Sequence, residues 1–183
     1  NICRTYIGDG AMNNGQVFES FNLASLWNLP VLYIIENNMY GMGTAISKAA
    51  AGSELYKRGE SFGIPGEIVD GMNIFKVREA AYKAGKYVRD KKGPYILEMR
   101  TYRYRGHSMS DPAQYRSKEE LESYKTKDPI QIAKDEIIKK KIISEKKLEK
   151  INKDIIEKVK KAAEFALESP YPKIEELYTD VFI

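Results

Sequence analysis

The chain has 183 residues, 43% of them hydrophobic and 31% charged, a balance that excludes a disordered chain and fits one ordinary domain with a buried core. Lys and Arg outnumber Asp and Glu 15 to 11 over residues 1–116 and balance them 15 to 15 afterwards, giving a net charge of +4. The lysine-rich C-terminal part is therefore mixed in sign, as on a solvated helix face and unlike a nucleic-acid-binding tail. The single cysteine, Cys3, excludes a disulfide framework and points to a reducing compartment. Apolar runs such as "VLYII" at 31–35 are far too short to cross a bilayer.

In chain order, residues 2–7 read as a short strand ending at Gly8, with a helix expected from Gln16 to Asn28 on the spacing of Val17, Phe18, Phe21, Ala24 and Leu26. Pro30 punctuates, and "VLYII" reads as a strand buried on both faces, as in parallel sheets. This is a βαβ unit whose glycine turn lies at the carboxyl end of its first strand, the edge where open α/β sheets bind ligands. The segment "AISKAAAGSELYKRGESFGIPG" is expected to be irregular with short helical turns, and "EIVDG" with "NIFKV" to form strand around a turn at Asp70–Gly71. "REAAYKAGKYVRD" fits an amphipathic helix ended by Gly93–Pro94, and "YILEMRTYR" an alternating strand leading into the loop "YRGHSMSDPAQYR". Ser117 opens a capping box, Asp128–Pro129 a second helix, and Ser144 a third running towards Glu168, before an extended, proline-marked tail. The expected division is an α/β core over 1–116 and a helical region with tail over 117–183. The chain opens at "NICRTYIGDG", without methionine and without a signal-peptide pattern, so it is expected to be a piece of a longer chain lacking its N-terminal part.

Two stretches carry the chemistry. In "YIGDGAMNNGQVFESFN", glycines at 8, 10 and 15 admit a ligand close to the backbone, and the helix that follows offers unpaired N–H groups to an anion. Asp9 would repel a phosphate directly and makes sense if a hard cation sits between them. A plainer reading makes it the cap of the helix. The second stretch, "ENNMYGMGT", brings Asn37 and Asn38 out at the same sheet edge, where an amide oxygen and a main-chain carbonyl are suitable magnesium ligands.

GDG, followed after 26 residues by NN, resembles the thiamine-diphosphate-binding motif. The longer strings "GDGAMNNGQVFESFNLASLWNLPVLYIIENNMYGMGT" and "TYRYRGHSMSDP" resemble the alpha-subunit family of pyruvate dehydrogenase, the decarboxylating component of that complex, and the likeness runs from about Arg4 to "EELYTDVF". The resemblance implies a thiamine-diphosphate-binding α/β fold, doubly wound and mainly parallel, truncated on its N-terminal side. It implies that Asp9 and the Asn38 side chain ligate Mg2+ with the Tyr40 carbonyl, and that Gly8, Gly10 and Ala11 lie along the diphosphate.

It further implies that His107, the chain's only histidine, stands at the active-site mouth on a loop that orders with cofactor, touching phosphate and moving protons. Without the resemblance, a lone loop histidine is an ordinary surface residue, and Arg103 and Arg105 are solvated loop charges. Ser108 falls where mitochondrial relatives carry a regulatory phosphoserine, but "DPAQYR" lacks the second serine and is shorter, which weakens the case for kinase control. The activating glutamate is expected from a beta subunit, so Glu19 and Glu36 are read as structural.

The implied function is oxidative decarboxylation of pyruvate with acetyl transfer to the lipoyl domain of a dihydrolipoyl acetyltransferase, in an alpha2beta2 heterotetramer, with neither nucleic acid nor membrane as partner. The implied location is the bacterial cytoplasm or, alternatively, the mitochondrial matrix. Acetoin dehydrogenase and branched-chain 2-oxoacid dehydrogenase alpha subunits carry similar strings, and a phosphate-binding α/β module without thiamine chemistry is the non-enzyme alternative. Ile174, Leu177, Tyr178 and Phe182 in the tail are expected to dock on a partner chain.

Overall fold

A computed structural model describes residues 1–181, so Phe182 lies outside the described residues. Its centre is a four-stranded, fully parallel sheet of β1 (Cys3–Gly8), β2 (Val31–Asn37), β5 (Gly66–Asp70) and β6 (Tyr95–Arg100), in the spatial order β1-β2-β6-β5. Between β2 and β5 in sequence, Tyr40–Gly41 and Thr44–Ala45 (β3 and β4) form a small antiparallel hairpin that the sequence reading missed. The helices are α1 (Gly15–Leu26), the one-turn α2 (Ile46–Ala49), α3 (Ile74–Arg89), α4 (Lys118–Lys125), α5 (Pro129–Lys139) and α6 (Glu145–Glu168).

The alternate side chains of β2 explain the layering. Tyr33 and Ile35 join Met12, Phe21, Ala24, Leu55 and Ile96 in a core on the α1 side. Leu32 and Ile34 join Val69, Ala80, Ala84, Val88, Leu97 and Met99 on the α3 side. β2 and β6 are thus covered on both faces, while β1 at the sheet edge stays largely exposed, and the expected two-sided burial of "VLYII" holds. Truncating a fully buried Phe21 would cost about 3–5 kcal/mol, mostly as an unfilled cavity against Tyr33.

Three expectations are corrected. "NIFKV" is helix: the Asn73 side chain accepts from the N–H groups of Phe75 and Lys76 and starts α3 there, so a local cap overrides the β preference of exposed Ile74 and Phe75. β6 does not alternate, because Tyr95 to Met99 are all buried between two neighbouring strands and two helical layers. The tail is not wholly extended: Ile174–Tyr178 forms a 3-10 turn, with Glu176 accepting from the Lys173 N–H.

Other boundaries match within two or three residues. Asn14 caps α1, Ser117 caps α4, Asp128 caps α5 and Ser144 caps α6. Two compact units emerge, 1–133 and the remainder from Lys134, and the expected division at 116/117 falls at the cap of α4 inside the first. In the second unit Lys134 pairs with Glu145 at 3.2 Å, and every residue of α6 except the half-buried Leu148 is exposed. Ile174, Leu177 and Tyr178 are exposed as well.

Candidate active site

The parallel register sets Gly8 beside Glu36, so the turn after β1 and the turn after β2 leave the sheet side by side. The Asp9 N–H donates to the Glu36 carbonyl at 3.3 Å, continuing the ladder one residue past the strand. Beyond it the two turns touch through backbone: a methyl on Gly10 would lie 3.2 Å from the Gly41 Cα, and one on Gly41 equally close to Gly10. A side chain there would push the two turns apart by a few tenths of an ångström, so the glycines of "GDG" and "MYG" let both turns lie close together.

Asp9 is 2% exposed, and its Oδ2 is the single buried side-chain polar atom without a hydrogen-bond partner among the described residues. It does not cap α1; Asn14 does, so the plainer reading of Asp9 fails. Burial pushes its carboxyl above the ordinary aspartate range, against the pull of the Gly10 and Asp9 N–H groups and of Arg103, while Glu98 adds to the rise. A buried carboxylate oxygen with no donor costs several kcal/mol unless a cation meets it or the carboxyl takes up a proton.

The second turn supplies neutral oxygens. Asn38 is half-buried, its Oδ1 accepting from the Tyr40 N–H at 3.2 Å with a lone pair to spare. Asn37 points inward instead: it is 1% exposed, donates from Nδ2 to Glu98 Oε1 at 2.8 Å, and accepts from the Met39 N–H at 3.0 Å. Met39 stands at φ +74° and Met42 at φ +54°, left-handed positions that cost a side-chain-bearing residue about 1–2 kcal/mol each. One carboxylate, one amide oxygen and one main-chain carbonyl make a hard-oxygen set suited to Mg2+. No group of three or more His, Cys, Asp or Glu side chains gathers among the described residues, so a thiolate or imidazole metal centre is not built here. Gly8, Gly10 and Ala11 are all exposed at the rim, where backbone is accessible to an anion.

The loop 101–116 is fastened to this second turn by side chains. Arg103 donates to the Met42 carbonyl at 2.5 Å and to the Tyr115 hydroxyl at 2.9 Å, and the Tyr115 ring packs against Gly43. Glu120 of α4 accepts from the Tyr40 and Tyr102 hydroxyls at 2.9 and 2.8 Å. Burial first, and these bonds second, push both phenols up to about 12. The capping box at Ser117 is therefore half made: Ser117 accepts from the Glu120 N–H, while the Glu120 carboxylate is drawn away to the tyrosines.

Arg116, which the sequence reading passed over, donates to the carbonyls of Arg103, Tyr104 and Arg105 and lies over the Tyr102 ring. Asp111 accepts from the N–H groups of His107 and Ala113 and from the Tyr115 hydroxyl, bonds that hold its carboxyl below the ordinary range. Gly106 leaves no room for a side chain against Asp111.

His107, Ser108 and Arg105 are exposed on this loop, and Ser108 Oγ lies 3.1 Å from Ser110 Oγ. A cavity of about 510 Å³ at the carboxyl ends of β2 and β6 is lined by Glu36, Asn38, Thr101 and Arg103. A separate groove of about 530 Å³ follows Tyr104, Arg105, Ser108, Met109 and Arg116. Thus the turn of Asp9 and the turn of Asn38 and Tyr40 meet through Gly10 and Gly41, and the charge of Arg103 acts on Asp9, whereas the His107 side chain lines neither space. The missed residues Arg116, Asp111 and Glu120 carry ordinary loop and helix identities, and only their carbonyl and phenol partners reveal them.

A family model described as dehydrogenase E1 component matches residues 1–175. The chain is 52% identical over 183 residues to "pyruvate dehydrogenase E1 component subunit alpha" of Rickettsia bellii (strain RML369-C), covering 100% of this chain and 56% of that protein. It is 51% identical over 184 residues to the protein of the same name from Rhizobium meliloti (strain 1021), covering 100% of this chain and 53% of that one. To the mitochondrial form from Sminthopsis macroura it is 48% identical over 178 residues, covering 96% and 48%. The chain spans about half the length of these curated relatives. The buried, unpaired Asp9 beside an asparagine turn and a match along nearly the whole chain agree: the chain belongs to the dehydrogenase E1 component family.

Proposed function

We propose that this chain is the cofactor-holding part of the alpha subunit of a pyruvate dehydrogenase, requiring thiamine diphosphate and Mg2+. The observation that carries the reading is Asp9 Oδ2, buried and without a donor at the carboxyl end of a parallel strand. Asp9 and Asn38 would hold Mg2+ through their side-chain oxygens and Tyr40 through its carbonyl. The backbone of Gly8, Gly10 and Ala11 and the N-terminal end of α1 would receive the diphosphate, whose charge such a cation would offset.

When bound, thiamine diphosphate supplies the electron sink for decarboxylation of a 2-oxoacid. The chain's own contribution is to orient that group and to present His107. In this reading the imidazole, on an exposed loop whose main chain Asp111 and Arg116 hold, would exchange a proton with substrate or an arriving lipoyl group. Ser108 adjoins it, and a phosphate there would bring negative charge to the same mouth. The partners in this reading are a beta subunit in an alpha2beta2 assembly, which contributes the activating glutamate, and the lipoyl domain of the acetyltransferase. The bacterial cytoplasm is the corresponding location. No helix among the described residues is long and apolar enough to cross a membrane.

The test is the steady-state rate of the full-length alpha–beta assembly with pyruvate, acetoin and branched 2-oxoacids, beside calorimetric titration with thiamine diphosphate or ATP in Mg2+. Pyruvate is expected to be turned over best and thiamine diphosphate to bind. A preference for acetoin or a branched acid would reassign the substrate, and binding of ATP alone would overturn the thiamine reading.

A further inference from the structure

Glu98 has no part in the metal set just described, yet it is among the most completely enclosed side chains of the molecule, fully buried in the middle of β6. It shares the sheet face of Ile96, Tyr33 and Ile35, an otherwise apolar layer. A carboxylate in such a layer is retained at a cost unless every lone pair it turns inward is used. Here both oxygens are used. Oε1 accepts from Asn37 Nδ2 at 2.8 Å and from Arg100 Nε at 3.2 Å, and Oε2 accepts from the Tyr56 N–H at 3.1 Å. Arg100 in turn reaches the Ser53 carbonyl at 2.5 Å.

All three donors point at Glu98, and none of them can turn round. The Tyr56 N–H is main chain. The Asn37 amide is fixed because its oxygen already accepts from the Met39 N–H at 3.0 Å, leaving only its NH2 to face β6. A glutamine at 98 would set its own NH2 against one of these donors whichever way its amide lay. The site therefore requires an acceptor on both atoms, and only a carboxylate provides it.

What the arrangement holds is the turn after β2. With Asn37 locked between Glu98 and the Met39 N–H, Met39 is kept at its left-handed φ of +74°. The chain then reverses so that the Asn38 oxygen meets the Tyr40 N–H and Tyr40 runs into the β3–β4 hairpin. We infer that Glu98 is a positioning residue for cation binding, acting through Asn37 to set the Asn38 amide oxygen and the Tyr40 carbonyl beside Asp9. The inference rests on the Mg2+ reading of Asp9, Asn38 and Tyr40 proposed above.

The test uses the full-length chain assembled with its beta subunit, at saturating thiamine diphosphate, with Mn2+ as the probe and the free-ion electron paramagnetic resonance signal as the readout. Glu98→Gln is expected to raise the Mn2+ dissociation constant about tenfold or more, the scale on which groups that orient metal ligands act. Asn37→Ala is expected to do the same, and the double variant to be no weaker than the worse single one, because Glu98 acts through Asn37. Thermal melting of the metal-free assembly separates this role from a merely structural one, which would lower the melting point and leave the dissociation constant unmoved.

An Mn2+ constant within about twofold of the unchanged protein in Glu98→Gln, or effects of the two substitutions that add, would overturn the inference. If Glu98→Gln does not assemble, Asn37→Ala alone decides, since an unchanged constant there removes the only arm through which Glu98 could act. Asp9→Asn run alongside shows where a failure lies. Lost binding in Asp9→Asn with none in Glu98→Gln rejects the Glu98 role alone, while tight binding in Asp9→Asn rejects the metal reading and the inference with it.

Discussion

The turns after β1 and β2 and the loop 101–116 both stand at the carboxyl edge of the sheet, but they are built on different principles. In the turns, position is set by main chain and by groups out of water: the Asp9 N–H on the Glu36 carbonyl, Gly10 against Gly41, and Asn37 closed over Glu98. In the loop, position is set by half-buried polar side chains, chiefly Arg103, Arg116 and Asp111, with His107 left exposed. Buried polar groups that are each satisfied resist displacement, whereas less buried clamps open at lower cost. In the proposed reading the first region would hold a cofactor's charged end, which must not move, and the second a group that must admit substrate and release product.

The largest effect is expected from breaking the rigid half. Asp9→Ala in the full-length assembly should weaken Mg2+-dependent thiamine diphosphate binding by at least about 10²-fold, beyond the range seen for groups that merely orient ligands. Calorimetric titration measures it, and an unchanged affinity would sink the assignment of Asp9. Breaking the loop at His107 comes next. His107→Ala should lower turnover about 10²-fold, the scale of a lost positioned acid or base, with thiamine diphosphate affinity held within a few-fold. Wild-type turnover in that variant would return His107 to an ordinary surface histidine.

A smaller effect is expected where the loop is clamped. Arg116→Lys keeps the charge but loses the fork that spans three carbonyls, so loop order should fall by about 1–2 kcal/mol. Limited proteolysis within 104–116 should then run on the order of tenfold faster, tracking the open population. Equal cleavage rates would mean that Asp111 and Tyr115 suffice.

The smallest is a pH effect. The His107 and Ala113 N–H groups and the Tyr115 hydroxyl hold the Asp111 carboxyl below its ordinary 3.8. Their contribution is present in full above that value and is lost as pH falls through the depressed one. Amide exchange at His107 and Ala113, corrected for intrinsic rate, should lose protection only below about pH 4, while the Asp9 turn, held by main chain, keeps its own. Protection at His107 that vanishes nearer neutrality would show that Asp111 is not what orders the loop.

Much of this was legible along the chain. The βαβ order, the burial of both faces of "VLYII" and the caps at Ser117, Asp128 and Ser144 follow from local periodicity and local hydrogen bonding, which a sequence carries directly. So did the pairing of "GDG" with "NN", because two turns that each follow a parallel strand leave one sheet edge together. What the sequence did not show was which polar residue belongs to which partner. Asn37 and Asn38 are identical letters, yet one is consumed by Glu98 inside the sheet and the other faces outward, because successive residues of a strand end point to opposite sides. Glu98 and Glu120 looked like an alternating strand's polar position and half of a capping box. Their roles came from Tyr56, Asn37, Tyr40 and Tyr102, residues that lie between 18 and 80 positions away and meet them only once the sheet and α4 have formed. Local pattern therefore determined the elements and the two turns of the candidate site. Tertiary structure decided which carboxylate stands buried without a partner and which are spent on holding the frame, because hydrogen bonds between distant residues leave no period in the sequence.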